Sequence, residues 1–256
     1  MKLSIVMPAR NEEGCIVTTL ERFTAVLSAN LRDYEIVVVD DGSTDATADC
    51  LRAFSRLHPE VVPVTNTGRH GFGMAIRFGL AQSTGDAVAI VMADGSDSPE
   101  DLLKYYAKLQ EGYDCVFGSR FIQGGSVVDY PQHKLLLNRM ANAFIKLLFG
   151  LKFNDITNAF KCYRREVIAG IQPLIAPHFN LTVEMPLKAL VRGYSYAVVP
   201  ITWTNRAAGV SKLKIKEMGS RYLFIVLYLW LEKHLARGDY HRAVVAPAEK
   251  GAKINA

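Results

Sequence analysis

The chain has 256 residues, 50% of them hydrophobic and 21% charged. That is enough to bury a sizeable core and excludes wholesale disorder. The net charge of +5 is unevenly spread: residues 1–129 carry 11 Lys/Arg against 18 Asp/Glu, a charge of −7, and residues 130–256 carry 19 against 7, a charge of +12. An acidic half suits a metal ion and a basic half suits phosphates or an anionic lipid surface. No DNA- or RNA-binding motif accompanies the basic half, so nucleic acid is not an expected partner.

In chain order, residues 3–7 read as a short apolar strand that stops at Pro8, too short for a signal peptide. Residues 13–30 have helical periodicity at Ile16, Leu20, Phe23 and Leu27. Residues 35–39 are a β-branched strand, and the following Asp40–Asp45 turn offers Ser43 or Thr44 as the cap of a helix to about Leu57. A strand over 61–66, a Gly-rich turn over 68–73, a helix ending near Gly85 and a strand over 87–92 follow. Pro99–Gln110 is a helix with proline near its first position, and 115–117 is a fifth strand. Strands separated by helices of ten to fifteen residues predict βαβ units and a mainly parallel sheet with both faces covered.

The second half is less regular. Residues 134–149 form a helix with a polar stripe at Asn138, Arg139, Asn142 and Lys146; 196–201 is a strand; 213–237 is a long helix with a basic start. The longest apolar run, 222–231, rises about 15 Å as a helix, half a bilayer core, so no segment is expected to span a membrane. Residues 239–256 read as a frayed tail. The four cysteines, Cys15, Cys50, Cys115 and Cys162, form no CxxC pair. They read as small buried residues of a reducing compartment.

In a parallel sheet, ligands bind beyond the carboxyl ends of the strands, and the polar clusters fall there: 8–12, 40–45, 94–97 and 118–120. Asp94 and Asp97 after a strand can hold a hard divalent cation by oxygen, or merely form a turn with Ser98 capping the next helix. Asp40, Asp41 and Asp45 can bind a base or ribose, or form a capped turn. The Arg69–Gly73 turn is neither a P-loop nor a GxGxxG motif. Arg206, Ser211 and Lys212 place two cations and a hydroxyl on one loop.

Seven segments in order carry a resemblance: Met7-Pro-Ala-Arg-Asn-Glu12, Val38-Val-Asp-Asp-Gly-Ser-Thr-Asp45, Gly71-Phe-Gly73, Met92-Ala-Asp-Gly-Ser-Asp-Ser-Pro-Glu100, Gly118-Ser-Arg120, Asp155-Ile-Thr-Asn-Ala-Phe160 and Arg206 to Lys212. Together they resemble family 2 glycosyltransferases of the GT-A (Rossmann-like) fold, in particular the dolichyl- or polyprenyl-phosphate mannosyl- and glucosyltransferase branch. The resemblance implies that Pro8, Arg10, Glu12, Asp40, Asp41 and Gly71 frame the donor, and that Asp94 holds Mg²⁺ or Mn²⁺ on its diphosphate. It also implies that Arg120 sits near the sugar and acceptor phosphate, and that Lys134, Arg206, Ser211 and Lys212 handle phosphates. The family's Asp-x-Asp motif departs here, since its first Asp is Met92, a poor ligand for a hard cation. Asp97 is the candidate replacement.

The expected reaction is an inverting transfer from a nucleotide-diphosphate sugar, GDP-mannose favoured and UDP-sugars open, to a polyprenyl, dolichyl or similar lipid phosphate. A hydroxyl acceptor would need a general base, for which Asp155 and Glu184 are the candidates, each with an equally plain structural role. The domain expectation is a catalytic unit over 1–212, an amphipathic helix over 213–237 at a membrane interface and a tail over 238–256, acting peripherally on the cytoplasmic face. Two competing readings are a sugar nucleotidyltransferase, which would want a Gly-rich basic signature after the first strand, and a non-catalytic nucleotide-sugar-binding scaffold.

Overall fold

The computed structural model of the protein describes residues 1–205 and 215–242. All seven residues of β1 (Leu3–Ala9) are buried, as expected of a strand covered on both faces. β2 (Tyr34–Asp40), β3 (Val61–Thr65) and β4 (Ala87–Ile90) pair parallel around it in the order β3-β2-β1-β4. The helices between them are α1 (Ile16–Asn30), α2 (Thr47–Ser55) and α3 (Phe72–Gln82). α4 (Pro99–Gln110) leads to β5 (Cys115–Ser119), which pairs parallel with β8 (Tyr196–Pro200).

The period-two alternation of the strands divides the core into two layers. Val6, Val37, Val39, Val88 and Ile90 face one side; Ile5, Met7, Ile36, Val38 and Ala89 face the other. The second side is closed by α1, α2 and α4 through Leu20, Phe23, Leu51 and Leu102. The first is closed by α3, α5 (Gln132–Phe149), α6 (Arg165–Gly170), α7 (Leu181–Val191) and α8 (Ile215–Leu235). Gly79 lets α3 lie against the sheet, because a Cβ there would stand 2.5 Å from Val6 Cγ1 and 2.9 Å from Val39 Cγ2.

One strand of the central sheet was not anticipated. β7 (Lys161–Arg164) inserts antiparallel between β4 and β5, giving the seven-stranded order β3-β2-β1-β4-β7-β5-β8. Its sequence, Lys-Cys-Tyr-Arg, carries no strand period because Lys161 is itself buried. α6, α7 and the small parallel pair β6 (Ser126–Val128) and β9 (Thr202–Thr204) were likewise unread. The predicted cap of α2 is also corrected. Its N-cap is Ala46, with no side-chain cap, because Ser43 instead accepts the Asn11 N–H at 3.0 Å and the Thr44 N–H donates to Asn11 Oδ1 at 2.7 Å. Ser43 and Thr44 thus brace the loop after β1, and it is Asp45 that accepts the Thr47 N–H at 3.0 Å where α2 starts.

Chain order reverses direction between β1 and β4, so these neighbours form the switch point where a crevice opens. Their ladder runs only from Leu3 to Val6. Val6 accepts from the Val91 N–H, and the next β1 residue in that register is Pro8, which has no N–H to offer. The strand ends part there.

Candidate active site

That parting is the floor of a cleft of about 670 Å³. From the end of β1 come Pro8, Arg10 and Glu12; from the end of β2, Asp41; from the start of α3, Gly71. From the turn after β4 come Met92, Asp94 and Asp97. From β5 and α5 come Arg120, Lys134 and Asn138. The structure therefore brings together nine of the site residues expected from sequence, and places Met92, the position that departs from the motif, beside them.

Asp41 organises the side of the cleft between β2 and α3. Its Oδ1 accepts from Asn66 Nδ2 at 2.7 Å, its Oδ2 accepts from the Gly71 N–H at 2.8 Å, and His70 Nδ1 lies 3.2 Å away. One carboxylate thus ties the end of β2 to the loop before α3. Asp40 does not line the cleft; it accepts the Ser43 N–H at 3.0 Å and holds its own turn instead. Gly73 is required where α3 begins, since a Cβ would stand 2.3 Å from the Ala176 carbonyl oxygen. This close approach seats His178 and Phe179 in the cleft wall.

The acidic turn is compact. Asp94 accepts the Ser96 N–H at 3.1 Å and Asp97 accepts the Met92 N–H at 2.9 Å. Burial pushes the Asp97 carboxyl up to about 7, the Met92 N–H works against this, and the nearby Asp94 charge adds to it. No group of three or more His, Cys, Asp or Glu able to hold a metal occurs among the described residues. A closed protein cage is therefore absent there. What is present, two carboxylates in an open cleft, fits the way Mg²⁺ is held, by one or two carboxylates with substrate phosphates completing the shell.

The cationic side is built on Arg120. Its Nε and Nη2 donate to Asp155 Oδ2 and Oδ1 at 2.8 and 2.7 Å, and its backbone N–H donates to Oδ2 at 3.0 Å. Burial works against the guanidinium charge, but the bonds and charge of Asp155 outweigh it and raise the pKa. The Phe121 and Tyr130 rings stand 5.1 and 5.8 Å from its Cζ. Asp155 is fully buried and does not line the cleft.

Glu184, expected as a candidate base, is also elsewhere. It is fully buried in α7, accepts the Ile175 and Ala176 N–H groups at 2.8 and 2.7 Å, and pairs with Lys188 at 2.7 Å. It braces the loop that leads to His178 instead of facing the cleft. Arg206, Ser211 and Lys212 lie outside the described residues.

Several residues escaped sequence reasoning. Tyr130, Trp203, Arg221 and Tyr222 line the cleft, and the Tyr130 and Trp203 rings meet at 4.8 Å. Only the basic start of the last helix hinted at Arg221. Lys161 lies beneath the cleft, donating to the Ile156 and Thr182 carbonyls at 3.0 and 3.2 Å; burial pushes its pKa down to about 7. A lysine inside an unrecognised strand has no local signature.

An α/β sheet with an acidic turn at its switch point and a cationic wall opposite gives the chain a GT-A-type fold. Within it, the chain belongs to Glycosyl transferase family 2, whose model matches residues 4–171. It is 35% identical over 184 residues to the polyprenol monophosphomannose synthase of Mycolicibacterium smegmatis, covering 70% of this chain and 69% of that one. It is 32% identical over 220 residues to the dolichol-phosphate mannosyltransferase of Pyrococcus furiosus, covering 84% of this chain but only 60% of that relative's length. The fold is similar to glucosyl-3-phosphoglycerate synthase from Mycobacterium tuberculosis, in a complex with Mn²⁺, UDP and glucosyl-3-phosphoglycerate. The TM-score is 0.66 and the identity 21%, over 91% of this chain and 79% of that one.

Proposed function

We propose that the protein is an inverting mannosyltransferase that moves mannose from a nucleotide-diphosphate sugar, GDP-mannose first, to a polyprenyl or dolichyl phosphate at a membrane surface. One observation carries this reading. A single cleft sets the Asp94–Asp97 turn between the Arg10, Glu12 and Asp41 side and a cationic side, and the helices of the cationic side expose apolar faces. On α5 these are Leu136, Leu137, Met140, Phe144 and Leu147; on α8 they are Leu223, Phe224, Leu227, Leu231 and Leu235. An acceptor that is anionic at one end and apolar at the other matches that juxtaposition. The names of the two mannosyltransferase relatives support the same acceptor class.

Asp94 and Asp97 would hold Mg²⁺ or Mn²⁺, which when bound neutralises charge growing on the leaving diphosphate. Arg10, Glu12 and Asp41 frame the nucleotide, with Arg206 and Lys212 as further donor-phosphate ligands and Ser211 assigned to the acceptor phosphate. Arg120 and Lys134 draw the acceptor phosphate to the cleft. A phosphate oxygen then attacks the anomeric carbon as the bond to the diphosphate breaks, so configuration inverts. An ionised phosphate needs no proton acceptor. This agrees with Asp155 and Glu184, the two carboxylates a hydroxyl acceptor would call on, both being held in buried ion pairs. No helix among the described residues is long and apolar enough to cross a membrane; peripheral attachment through α5 and α8, on the cytoplasmic face, is the corresponding proposal.

The test is incubation of the purified protein and Mn²⁺ or Mg²⁺ with a panel of GDP- and UDP-sugars and a short polyprenyl phosphate, read by mass spectrometry. Mannosylated lipid from GDP-mannose is expected. Product from a UDP-sugar alone would overturn the donor assignment, and nucleotide release without lipid product would overturn the acceptor.

A further inference from the structure

Arg120 enters the cleft from the end of β5 with one edge of its guanidinium already engaged. The fork has five N–H donors in a fixed plane. Asp155 takes the Nε and Nη2 edge in two parallel bonds of 2.8 and 2.7 Å and adds the backbone N–H at 3.0 Å. The rest of the fork, which also meets the Tyr130 hydroxyl, lines the cleft and is the part a phosphate would meet. Asp155 itself is fully buried, and Arg120 occupies both of its oxygens. A proton acceptor must come within reach of the group it deprotonates, and this carboxylate reaches Arg120.

The loop carrying Asp155 is fastened on both sides. Asn154 accepts from Ser119 Oγ at 2.6 Å and donates to the Phe121 carbonyl at 3.1 Å, so it grips the chain on either side of Arg120. Thr157 is held by α5: Asn142 Nδ2 donates to its Oγ1 at 2.9 Å, and its N–H donates to Asn142 Oδ1 at 3.2 Å. Asn142 is buried. The carboxylate is thereby fixed relative to both the strand that leads to Arg120 and the helix that bears Lys134. A long side chain that would otherwise sample many rotamers is pre-set before the acceptor arrives.

We infer that Asp155 is a positioning residue for acceptor transfer, fixing which edge of Arg120 meets the acceptor phosphate and taking no proton itself. The inference rests on the proposed role of Arg120 in binding that phosphate.

The test uses the full chain with GDP-mannose, Mg²⁺ and a short-chain prenyl phosphate in detergent. Asp155→Asn keeps the shape of the side chain but removes its charge and one of its two acceptor oxygens. Its kcat/KM for the prenyl phosphate is expected to fall about 100-fold, while the Kd for GDP with Mg²⁺ stays within about twofold and the pH profile keeps its shape. The Arg120→Ala/Asp155→Asn double variant is expected to be no slower than Arg120→Ala alone, since the two act as one unit. Arg120→Lys, which leaves the carboxylate in place but cannot be gripped bidentately, is expected to show the same acceptor-specific loss even if Asp155→Asn does not fold.

Loss of the acidic limb of the pH profile at unchanged acceptor KM would show a base and overturn the inference. So would additive losses in the double variant, a wild-type acceptor KM in Arg120→Lys, or an equal loss of GDP affinity. Failure of the wild-type chain to use the prenyl phosphate while GDP binds would instead overturn the proposed acceptor, a result distinct from any of these.

Discussion

Replacing Glu232 by alanine tests how α8 is held at the cleft. α8 carries Arg221 and Tyr222 into the cleft wall, yet much of its surface is apolar and exposed, so the groups that hold its other face set its placement. Ile225, Val226 and Leu229 pack into the core, Tyr222 and Lys233 donate to the Phe179 and Phe149 carbonyls at 3.3 and 2.7 Å, and the buried ion pair is made with Arg192, at the end of α7. Its Nε and Nη2 donate to Glu232 at 2.9 and 3.3 Å, and the two side chains are 4% and 3% exposed. Nη1 donates to the Gly170 and Gln172 carbonyls at 2.8 and 2.9 Å. Removing one partner of a buried pair costs about 3–5 kcal/mol, because the other charge is left without compensation. The two carbonyl bonds that survive place the expected cost at the low end, about 3 kcal/mol. For a chain of this length about 1 kcal/mol shifts Tm by about 2–4 °C, so Glu232→Ala should lower Tm by about 6–12 °C. The assay is thermal denaturation followed by circular dichroism, with Arg192→Leu/Glu232→Leu as the partner variant. Removing both charges should recover most of the loss. A drop below about 2 °C, or a double variant whose loss equals the sum of the single ones, refutes the reasoning.

Three other expectations follow from the same geometry. Asp94→Asn should lower turnover by about 10²–10³-fold with little change in Tm, and a chelator should abolish the wild-type activity; full activity of the variant without added metal would remove Asp94 from the metal site. Glu35 is held at about 2: burial alone would raise it, but Ser4, the Thr84 N–H, Lys2 and the Thr84 hydroxyl together prevail. Because the folded value lies below the unfolded one, the stabilisation is present above the unfolded pKa of about 4.3 and is lost as pH falls toward 2. Urea denaturation of wild type and Glu35→Gln should therefore differ more at pH 7 than at pH 3, and an equal difference at both would show that the ionised form is not the source. Leu147 and Phe224 are 83% and 62% exposed; Leu147→Glu and Phe224→Glu should each weaken sedimentation with anionic phospholipid vesicles about tenfold at unchanged Tm. Unchanged vesicle binding would remove these helices from the membrane face.

The sequence alone determined the parts of this protein whose causes are local. Strands β1, β2 and β4 were legible as apolar runs, and α4 was placed to the residue because Ser98, Pro99 and the acidic first turn are contiguous signals. Strand–helix alternation implied the parallel sheet, and the rule that ligands gather at carboxyl strand ends brought Pro8, Arg10, Asp41, Asp94 and Arg120 to one expected place before any distance was known. What the tertiary structure decided depends on residues far apart in the chain. β7 became a strand because β4 and β5 left a gap between them, and a buried lysine hid it. Asp40 and Asp41 are adjacent and chemically alike, yet only Asp41 reaches the cleft, because Asp40 turns to the Ser43 N–H of its own loop while Asp41, one residue past β2, is tied to Asn66 and Gly71. For Asp155 and Glu184 the sequence left a catalytic and a structural role equally open, because it shows charge and not partners. Arg120 lies 35 residues from Asp155, and long-range pairing of that kind is set by how the sheet and helices close around the cleft. Glu184 is the instructive contrast: its partner Lys188 is one helical turn away, so the spacing was readable, but that both groups are buried was not.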